Sequence, residues 1–459
     1  MATAALTKTF GSASSASDRY KFTFSTWFKR GTAGDNDYLF GHQSSDGAND
    51  FAIRLDKDSG NSLLRVYDYQ SSSYTIHKQT SRFFRDHSAW YHLVVKIDTT
   101  QSSASDRVKI YINGVEETSF STSVNPSQNQ SVYAFSNTGQ PTVISGRYTN
   151  SLASGYYFDG SLTHTHCCIG YAYDASSFGE TDTTSGIWKP KTAPSVTYGS
   201  NGFFLKFENS GAMGTDSSGN SNTFTINGTL TQNVDTPSNN FATLNPLQQN
   251  NTATTYSNGN TKGTGTSSTS NFSSTPATLA ASVGKWYAEY KPNLSSTDSS
   301  ISGFVNLDTA NFNATDYYGG SNNMSAGLYD SGGQILHSTG TNLGSVGALS
   351  NGDIVMLAMD LDNGYLYWGK NGTWFNSANP ATSGGTGGLA LSNLGSNGTY
   401  TFLNGNRKSM GTEWNFGSGF FGTTAVASAN ADGNGIGAFE YSVPSGYYAL
   451  CTKNIKEFG

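Results

Sequence analysis

The chain has 459 residues, of which 13% are charged and 13% aromatic, with 53 glycines and a net charge of -6. That length predicts two or three domains, and the aromatic share excludes a disordered chain. An acidic balance without any run of Lys or Arg excludes a nucleic-acid partner, and the absence of an apolar run near 18 residues excludes insertion of a membrane helix.

The N-terminus, MATAALTKTFGSASS, lacks the apolar region of a secretory signal. Cysteine is confined to Cys167, Cys168 and Cys451, which cannot make a disulfide framework. Folding in a reducing cytoplasm is expected. Helix signals are scarce and strand signals abound. RYKFTFSTWFKR places Tyr20, Phe22, Phe24, Thr26 and Phe28 on one face, with Lys21, Thr23 and Ser25 opposite. WYHLVVKID puts Tyr91, Leu93, Val95 and Ile97 on one side, and VKIYINGVEE alternates Val108, Ile110 and Ile112 with Lys109 and Tyr111. Asn113-Gly114 then predicts a tight hairpin, because both residues tolerate positive φ.

His164, His166 and Cys168 would share one face of a strand, with Cys167 and Ile169 turned inward. No second Cys or His pair stands at zinc spacing, so a packed strand is expected. Glu180-Thr-Asp182 is the nearest trace of the paired carboxylates of a retaining glucanase. Its third position is Ser185 rather than a carboxylate, and the segment reads as a solvated loop. No G-x-S-x-G elbow occurs. Asp216, Asn220 and Asn222 offer hard oxygen ligands in a glycine-containing loop, a candidate structural calcium site; an Asx-turn explains the same residues. Asp432-Gly-Asn434-Gly is a weaker case of the same kind.

Residues 247–276 are nearly free of apolar side chains and read either as a disordered linker or as an edge strand with long loops. Phe241, Leu244, Leu247, Tyr256 and Phe272 would be the anchors of the second reading. GKWYAEYKP predicts a strand ended by proline. GDIVMLAMDLDNGYLYWGKNGTWF predicts two strands joined at Asp362-Asn363-Gly364 and a further turn at Asn371-Gly372. GAFEYSVPSGYYAL alternates again at the end. Both halves thus carry a long strand, a tight turn and an Asn-Gly hairpin. This organisation predicts sandwiches rather than parallel sheets. Trp286 and Trp368 are expected in the core. Tyr317, Tyr318, Trp374 and Asn376 combine aromatic platforms with planar polar groups beside turns, and are the candidate ligand-binding residues.

The run FTFSTWFKR, WYHLVVKID and VKIYINGVEE, continued by Phe158 to Lys191 with Phe178-Gly179 and Trp188-Lys189-Pro190-Lys191, resembles the concanavalin A-like, laminin-G-type jelly rolls found in phage structural proteins. The motifs GKWYAEY, GDIVMLAMDLDNGYLYWGKNG and PSGYYAL resemble a SPRY-type domain. The phrase D-T-P-x-N-N-F-x-T-L-N-P, Asp235 to Pro246, resembles the connection between such modules in tailed phages. The resemblance implies an all-β protein of two concanavalin A-like jelly-roll sandwiches. Residues 1–233 form the first, 234–280 an ordered connection with surface loops in which Phe241 and Leu244 dock on a sandwich, and 281–459 the second. It implies a non-enzymatic virion protein, a tail fibre or tail-associated protein that binds host-surface glycan. A head fibre or decoration protein, a secreted adhesin and a glycanase are the alternatives. Other virion proteins would be its partners, and a homo-oligomer, a trimer among the options, would be its assembly. No heptad or β-helix repeat supplies a shaft of its own.

Overall fold

The computed structural model describes residues 4–31, 36–58, 61–136, 139–183, 186–249, 254–266, 272–294, 300–310, 312, 325–330, 332–337, 341–345, 347–382, 384–395 and 397–459. The chain divides into two units, residues 1–232 and 233–459. Each is a sandwich of mainly antiparallel sheets.

In the first unit a six-stranded sheet runs Phe203–Leu205, Gly160–Ile169, Lys21–Arg30, Trp90–Asp98, Val108–Ile112 and Val115–Glu116 in spatial order. An eight-stranded sheet runs Phe120–Val124, Ser73–Phe83, Asn61–Gln70, Asp50–Asp58, Asn36–Gln43, Thr142–Ile144, Ala5–Lys8 and Thr225–Asn227. The alternation expected from sequence is met. Phe22, Phe24 and Phe28 pack with Leu93, Val95, Ile97, Val108, Ile110 and Ile112 in one core. Phe40, Phe51, Ile53, Leu55, Leu64 and Val66 of the other sheet join them there. Area removed from water is worth about 25 cal/mol per Å2, so this aromatic interlayer is the main stabilising term of the unit.

The reverse face of the Lys21–Arg30 strand is buried too, which alternation alone does not predict. Residues 171–198 fold over it, bringing Phe178, Tyr173, Trp188 and Tyr198 onto Val94 and Cys168. In the Gly160–Ile169 strand a bulge lies between Thr163 and His166, with His164 at φ 48°. This bulge breaks the strict two-residue period upstream of His166. Cys167 and Ile169 still point into the core, as expected.

The second unit repeats the wiring of the first. Lys285–Asn293 occupies the place of Lys21–Arg30, flanked by Gly411–Asn415 on one side and by Val355–Asp360, Tyr365–Lys370 and Thr373–Trp374 on the other. Its second sheet runs Ser273–Pro276, Tyr400–Asn406, Ile301–Asn306, Ser325–Tyr329, Gln334–His337 and Asn342–Ser345. The two Asn-Gly hairpins superpose in chemistry as well as order. Asn113 and Asn371 both have φ 51°, and Gly114 and Gly372 both have φ 82°. Each asparagine accepts at Oδ1 from a backbone N–H on the neighbouring strand side, that of His92 or Ile354, at 2.8 Å. Each returns its own N–H to that residue's carbonyl, at 2.8 Å and 2.9 Å. A left-handed Asn-Gly pair matches the strand twist, and the side-chain bond pins it.

Trp286 and Trp368 lie in the core of this unit. Pro292 does not end its strand, which continues to Asn293. Pairing with Val355–Asp360 stops at Tyr290, so no ladder on that side needs the missing N–H of Pro292. Residues 437–447, expected to alternate as a strand, form none. Ala438 and Phe439 make single bridges to Ser418 and Asn430, and Tyr448–Ala449 pairs parallel to Trp286 and Tyr287, before a short helix, Thr452–Phe458. Residues from Ile436 to Cys451 instead lie across the outer face of the sheet, against Tyr287, Met356 and Tyr367.

The stretch 234–280 belongs to the second unit, and its described residues are ordered rather than a disordered linker. Phe241 bridges to Cys451 and Leu244 to Ala277, and both side chains are buried. Thr254–Ser257 and Lys262–Gly265 form a hairpin that extends the larger sheet through Gly411–Asn415. Ser273–Pro276 closes the edge of the smaller sheet. Tyr256 and Phe272 are buried anchors, whereas Leu247 is 62% exposed and anchors nothing. Small polar residues suffice in these strands because Thr and Ser pair through the backbone while only every second side chain faces inward.

Candidate functional site

The sequence-predicted residues separate in the structure. Tyr317 and Tyr318 lie outside the described residues. Trp374 is half-buried with its ring edge-on to Tyr287, centroids 6.3 Å apart, so packing claims part of its surface. Asn376 is exposed at φ 52° in the turn Phe375–Ser377.

Asp216, Asn220 and Asn222 do lie together, but as a self-satisfied loop. Asp216 Oδ1 accepts from the N–H of Phe204 and Ser218, and Oδ2 from Ser218 Oγ and the N–H of Asn222. The amide nitrogens of Asn220 and Asn222 both donate to the Gly202 carbonyl, and also to Gly199 and Ser200 respectively. Donors, not oxygens, converge here, so the arrangement does not fit a calcium ion. It is the Asx-turn alternative. Asp432 is likewise spent, accepting from the N–H of Asn434, Ile436 and Ala449 and from Asn454.

Glu180 and Asp182 sit on an exposed ribbon, Gly179–Thr181 paired with Trp188–Pro190. Both pair with Lys189 Nζ, at 3.7 Å and 2.9 Å. One surface lysine thus occupies both carboxylates. Ser185 lies outside the described residues.

Beneath that ribbon is the one Ser-His contact of the six-stranded sheet with nucleophile–base spacing. Ser25 Oγ lies 2.9 Å from His92 Nε2. Trp188 Nε1 donates to His92 Nδ1 at 2.9 Å, which places the imidazole proton on Nε2. His92 therefore donates to Ser25 and cannot take its proton. Burial pushes the His92 pKa down to about 3, and Trp27 stacks on the ring at 4.7 Å. The group is a structural polar core. It also explains the Phe-Gly and Trp-Lys-Pro-Lys signature, since a Cβ on Gly179 would come within 2.5 Å of the Trp188 ring. Trp188→Phe keeps most of this cover but orphans a buried acceptor. Urea unfolding should show a loss of about 1–2 kcal/mol, with loss of the fixed imidazole tautomer by 15N NMR. An unchanged tautomer would refute the role given to the indole.

Sequence reasoning missed a different surface. The face of the eight-stranded sheet turned away from the core carries a polar and aromatic layer. In one cross-strand row Tyr38 pairs with Arg54 and Arg54 with Arg65. In the next, Gly41, Ala52, Tyr67 and His77 lie side by side, and in a third Gln43, Asp50, Tyr69 and Tyr74. Arg54 lies over the rings of Tyr38 and Tyr67, at 5.2 and 5.4 Å, and Arg65 over Tyr67 and Tyr74, at 5.2 and 5.5 Å. Both guanidiniums pair with Asp56. Tyr38 and Tyr67 share a hydroxyl contact of 3.0 Å, and Tyr67 donates to Asp50 Oδ2 at 2.7 Å. Burial raises the Asp50 pKa. From the loop after Thr142–Ile144, Arg147 reaches over Tyr156 and stands 3.5 Å from Asp50. At the margin Tyr74 is 41% exposed and stacks on His77 at 4.5 Å. Cation–π contacts of this kind are each worth about 0.5–1 kcal/mol when exposed and more when desolvated.

The signal was present but dispersed. In D-F-A-I-R-L-D, Asp50, Ala52, Arg54 and Asp56 alternate with Phe51, Ile53 and Leu55. Only the register with the three neighbouring strands, and a loop that brings Arg147 from 97 residues beyond Asp50, turns that polar face into a constellation.

Residues 7–166 match the concanavalin A-like lectin/glucanases superfamily, laminin G type. The N-terminal unit carries a concanavalin A-like domain. The surface just described belongs almost wholly to this lectin-like domain. Among solved structures, the SPRY domain of human HERC1 is 11% identical, over 37% of this chain and 96% of its own, with a TM-score of 0.28. The PSpry domain of TRIM65 is 15% identical over 38% and 88%, with a TM-score of 0.28. A heptameric SAP-like pentraxin from Limulus polyphemus is 15% identical over 37% and 71%, with a TM-score of 0.27. No curated protein matches the chain.

Proposed function

We propose that this chain is a non-enzymatic glycan-binding protein of a tailed-phage particle, tail-associated, that engages sugar through the outer face of its lectin-like domain. The observation that carries the glycan reading is the Arg–Tyr layer around Asp50. Sugars are bound by stacking a C–H face on an aromatic ring while planar polar groups hold the hydroxyls. Tyr74 supplies an exposed ring at the margin, and Asp50 and Arg147, on the far side of Tyr69 in the same layer, supply an acceptor and a donor. The pairing of Glu180 and Asp182 with a single lysine supports binding without hydrolysis. The virion placement rests on the order of the sequence motifs. Partner virion proteins and a homo-oligomeric state belong to the same reading.

A glycan array probed with the whole chain tests the reading. Binding to at least one glycan class is expected, with a loss of about tenfold or more in Tyr74→Ala, since stacking and buried polar contacts are each worth about 1–2 kcal/mol. Tyr74 lies at the surface, so its replacement leaves the fold intact. An array without binding, or binding indifferent to Tyr74, would overturn the site. Absence of the protein from purified particles by mass spectrometry would overturn the virion placement.

A further inference from the structure

We propose, building on the glycan-binding reading, that this face selects an acidic sugar bearing a carboxylate beside a free hydroxyl, with Arg147 taking the carboxylate and Asp50 the hydroxyl. The three guanidiniums are not equivalent. Arg54 and Arg65 are committed to Asp56 and to the hydroxyls of Tyr38 and Tyr74. Arg147 makes polar side-chain contacts only through Nη2, to Asp50 at 3.5 Å and, with the Gln43 amide turned so that its nitrogen meets the Tyr148 carbonyl, to the Gln43 oxygen at 2.8 Å. Its Nε and Nη1 have no partner among the described residues. The side chain is 23% exposed and rests on the Tyr156 ring at 5.2 Å. A planar fork held flat with a free edge matches a carboxylate in bidentate geometry.

Asp50 supplies the second half. It is 5% exposed, and its Oδ1 is buried without a donor among the described residues. The 3.5 Å contact to Arg147 is longer than the roughly 2.7–2.9 Å of a good charged hydrogen bond, so this pair is under-satisfied on both sides. Arg147 and Tyr67 both meet Oδ2, so Oδ1 is the acceptor left for the neighbouring hydroxyl, reached on a shift of the side chains that cover it. A neutral sugar fills only the acceptor, and a sulfate ester fills only the cation. Three arginines against two aspartates leave the face net positive in a chain of net charge -6, which favours approach of an anion.

The test is calorimetric titration of the whole chain with oligogalacturonate and with 3′-sialyllactose. Each is paired with its carboxyl-reduced form, and a sulfated neutral oligosaccharide makes a further arm. At least one acid should bind at least about tenfold tighter than its reduced form, because a charge-assisted pair is worth roughly 1.5–3 kcal/mol. In Arg147→Gln the acid and reduced forms should bind within about threefold of each other, and Arg147→Lys should retain part of the preference. Equal affinity of the native chain for acid and reduced forms overturns acid selection while leaving the glycan reading standing. Equal affinity for the sulfated sugar overturns the pairing of carboxylate with hydroxyl. Binding to no sugar at all removes both readings.

Discussion

Taken from pH 7 to pH 4.5, the first unit loses stability while the second gains it. Six of the seven histidines, His42, His77, His87, His92, His164 and His166, lie in the first unit, and burial lowers the pKa of every one. For His42 and His87 it falls to about 4, and for His92 to about 3. A depressed histidine means that the unfolded chain binds the proton first. Stability contributed by its neutral form is complete above the unfolded pKa near 6.5 and drains away as pH falls towards the folded value. Asp68 opposes this, since burial raises its pKa to about 6 and protonation favours its folded state. Asp50, whose pKa burial also raises, opposes it as well, but the depressed histidines outnumber these two carboxyls. The net loss by pH 4.5 is on the order of 5 kcal/mol, comparable with the whole stability of many domains. In the second unit the sign reverses. Burial pushes Glu289 up to about 7, so folding gains on the order of 3 kcal/mol as pH falls from above 7 to near 4.5. Hydrogen exchange resolved over residues 1–232 and 233–459 at pH 7, 5.5 and 4.5 should show protection falling in the first and rising in the second. Parallel behaviour of the two units would refute it.

Replacing Glu289 by Ala should cost the second unit about 4 kcal/mol, because four buried donors lose one acceptor group. Its carboxylate has no cationic partner among the described residues. Tyr287 Oη donates to Oε1 at 2.8 Å, as does the N–H of Tyr441 at 2.9 Å. The N–H of Glu440 and Asn415 Nδ2 donate to Oε2, at 2.9 and 3.3 Å. Two consecutive backbone donors come from residues that make no strand, so this side chain replaces the missing ladder and fastens the covering segment to the sheet. Glu289→Gln keeps one carbonyl oxygen and can turn its amide towards the Tyr287 oxygen. It should cost about 1–2 kcal/mol and abolish the gain on acidification. Urea unfolding followed by tryptophan fluorescence reads both variants. A Glu289→Ala midpoint within error of the native one would show that the covering segment is held by its apolar contacts alone.

The strands legible in the sequence were those that alternate apolar and polar residues, Lys21–Arg30, Trp90–Asp98 and Val108–Ile112, and those bounded by turn signals, Val355–Asp360 and Tyr365–Lys370. Period-two alternation and Asn-Gly turns are local properties and survive into the fold. Three things were not legible. The strands of residues 254–276 are held by backbone pairing of Ser, Thr and Gly, whose side chains carry no periodic signal. The extended segment of residues 437–447 alternates like a strand yet pairs with a carboxylate, because the neighbouring edge of Lys285–Asn293 is already taken by Tyr448–Ala449 and Gly411–Asn415. The Arg–Tyr face depends on register among four strands and a loop, whereas the residues singled out beforehand, Trp374 and Asn376, owed their prominence to local composition.

The burial of Phe241 and Leu244 has a practical consequence for dissecting the molecule. A cut before Lys285, where the first strong strand pattern of the second half begins, would strip that unit of a sheet-extending hairpin, an edge strand and two core side chains. It would leave Cys451 without its bridge partner Phe241. A cut near residue 233 would keep all of these. Proteolysis of the native chain should accordingly release a C-terminal fragment that retains Phe241, and fragments begun at the obvious motif should precipitate through the exposed strand edge.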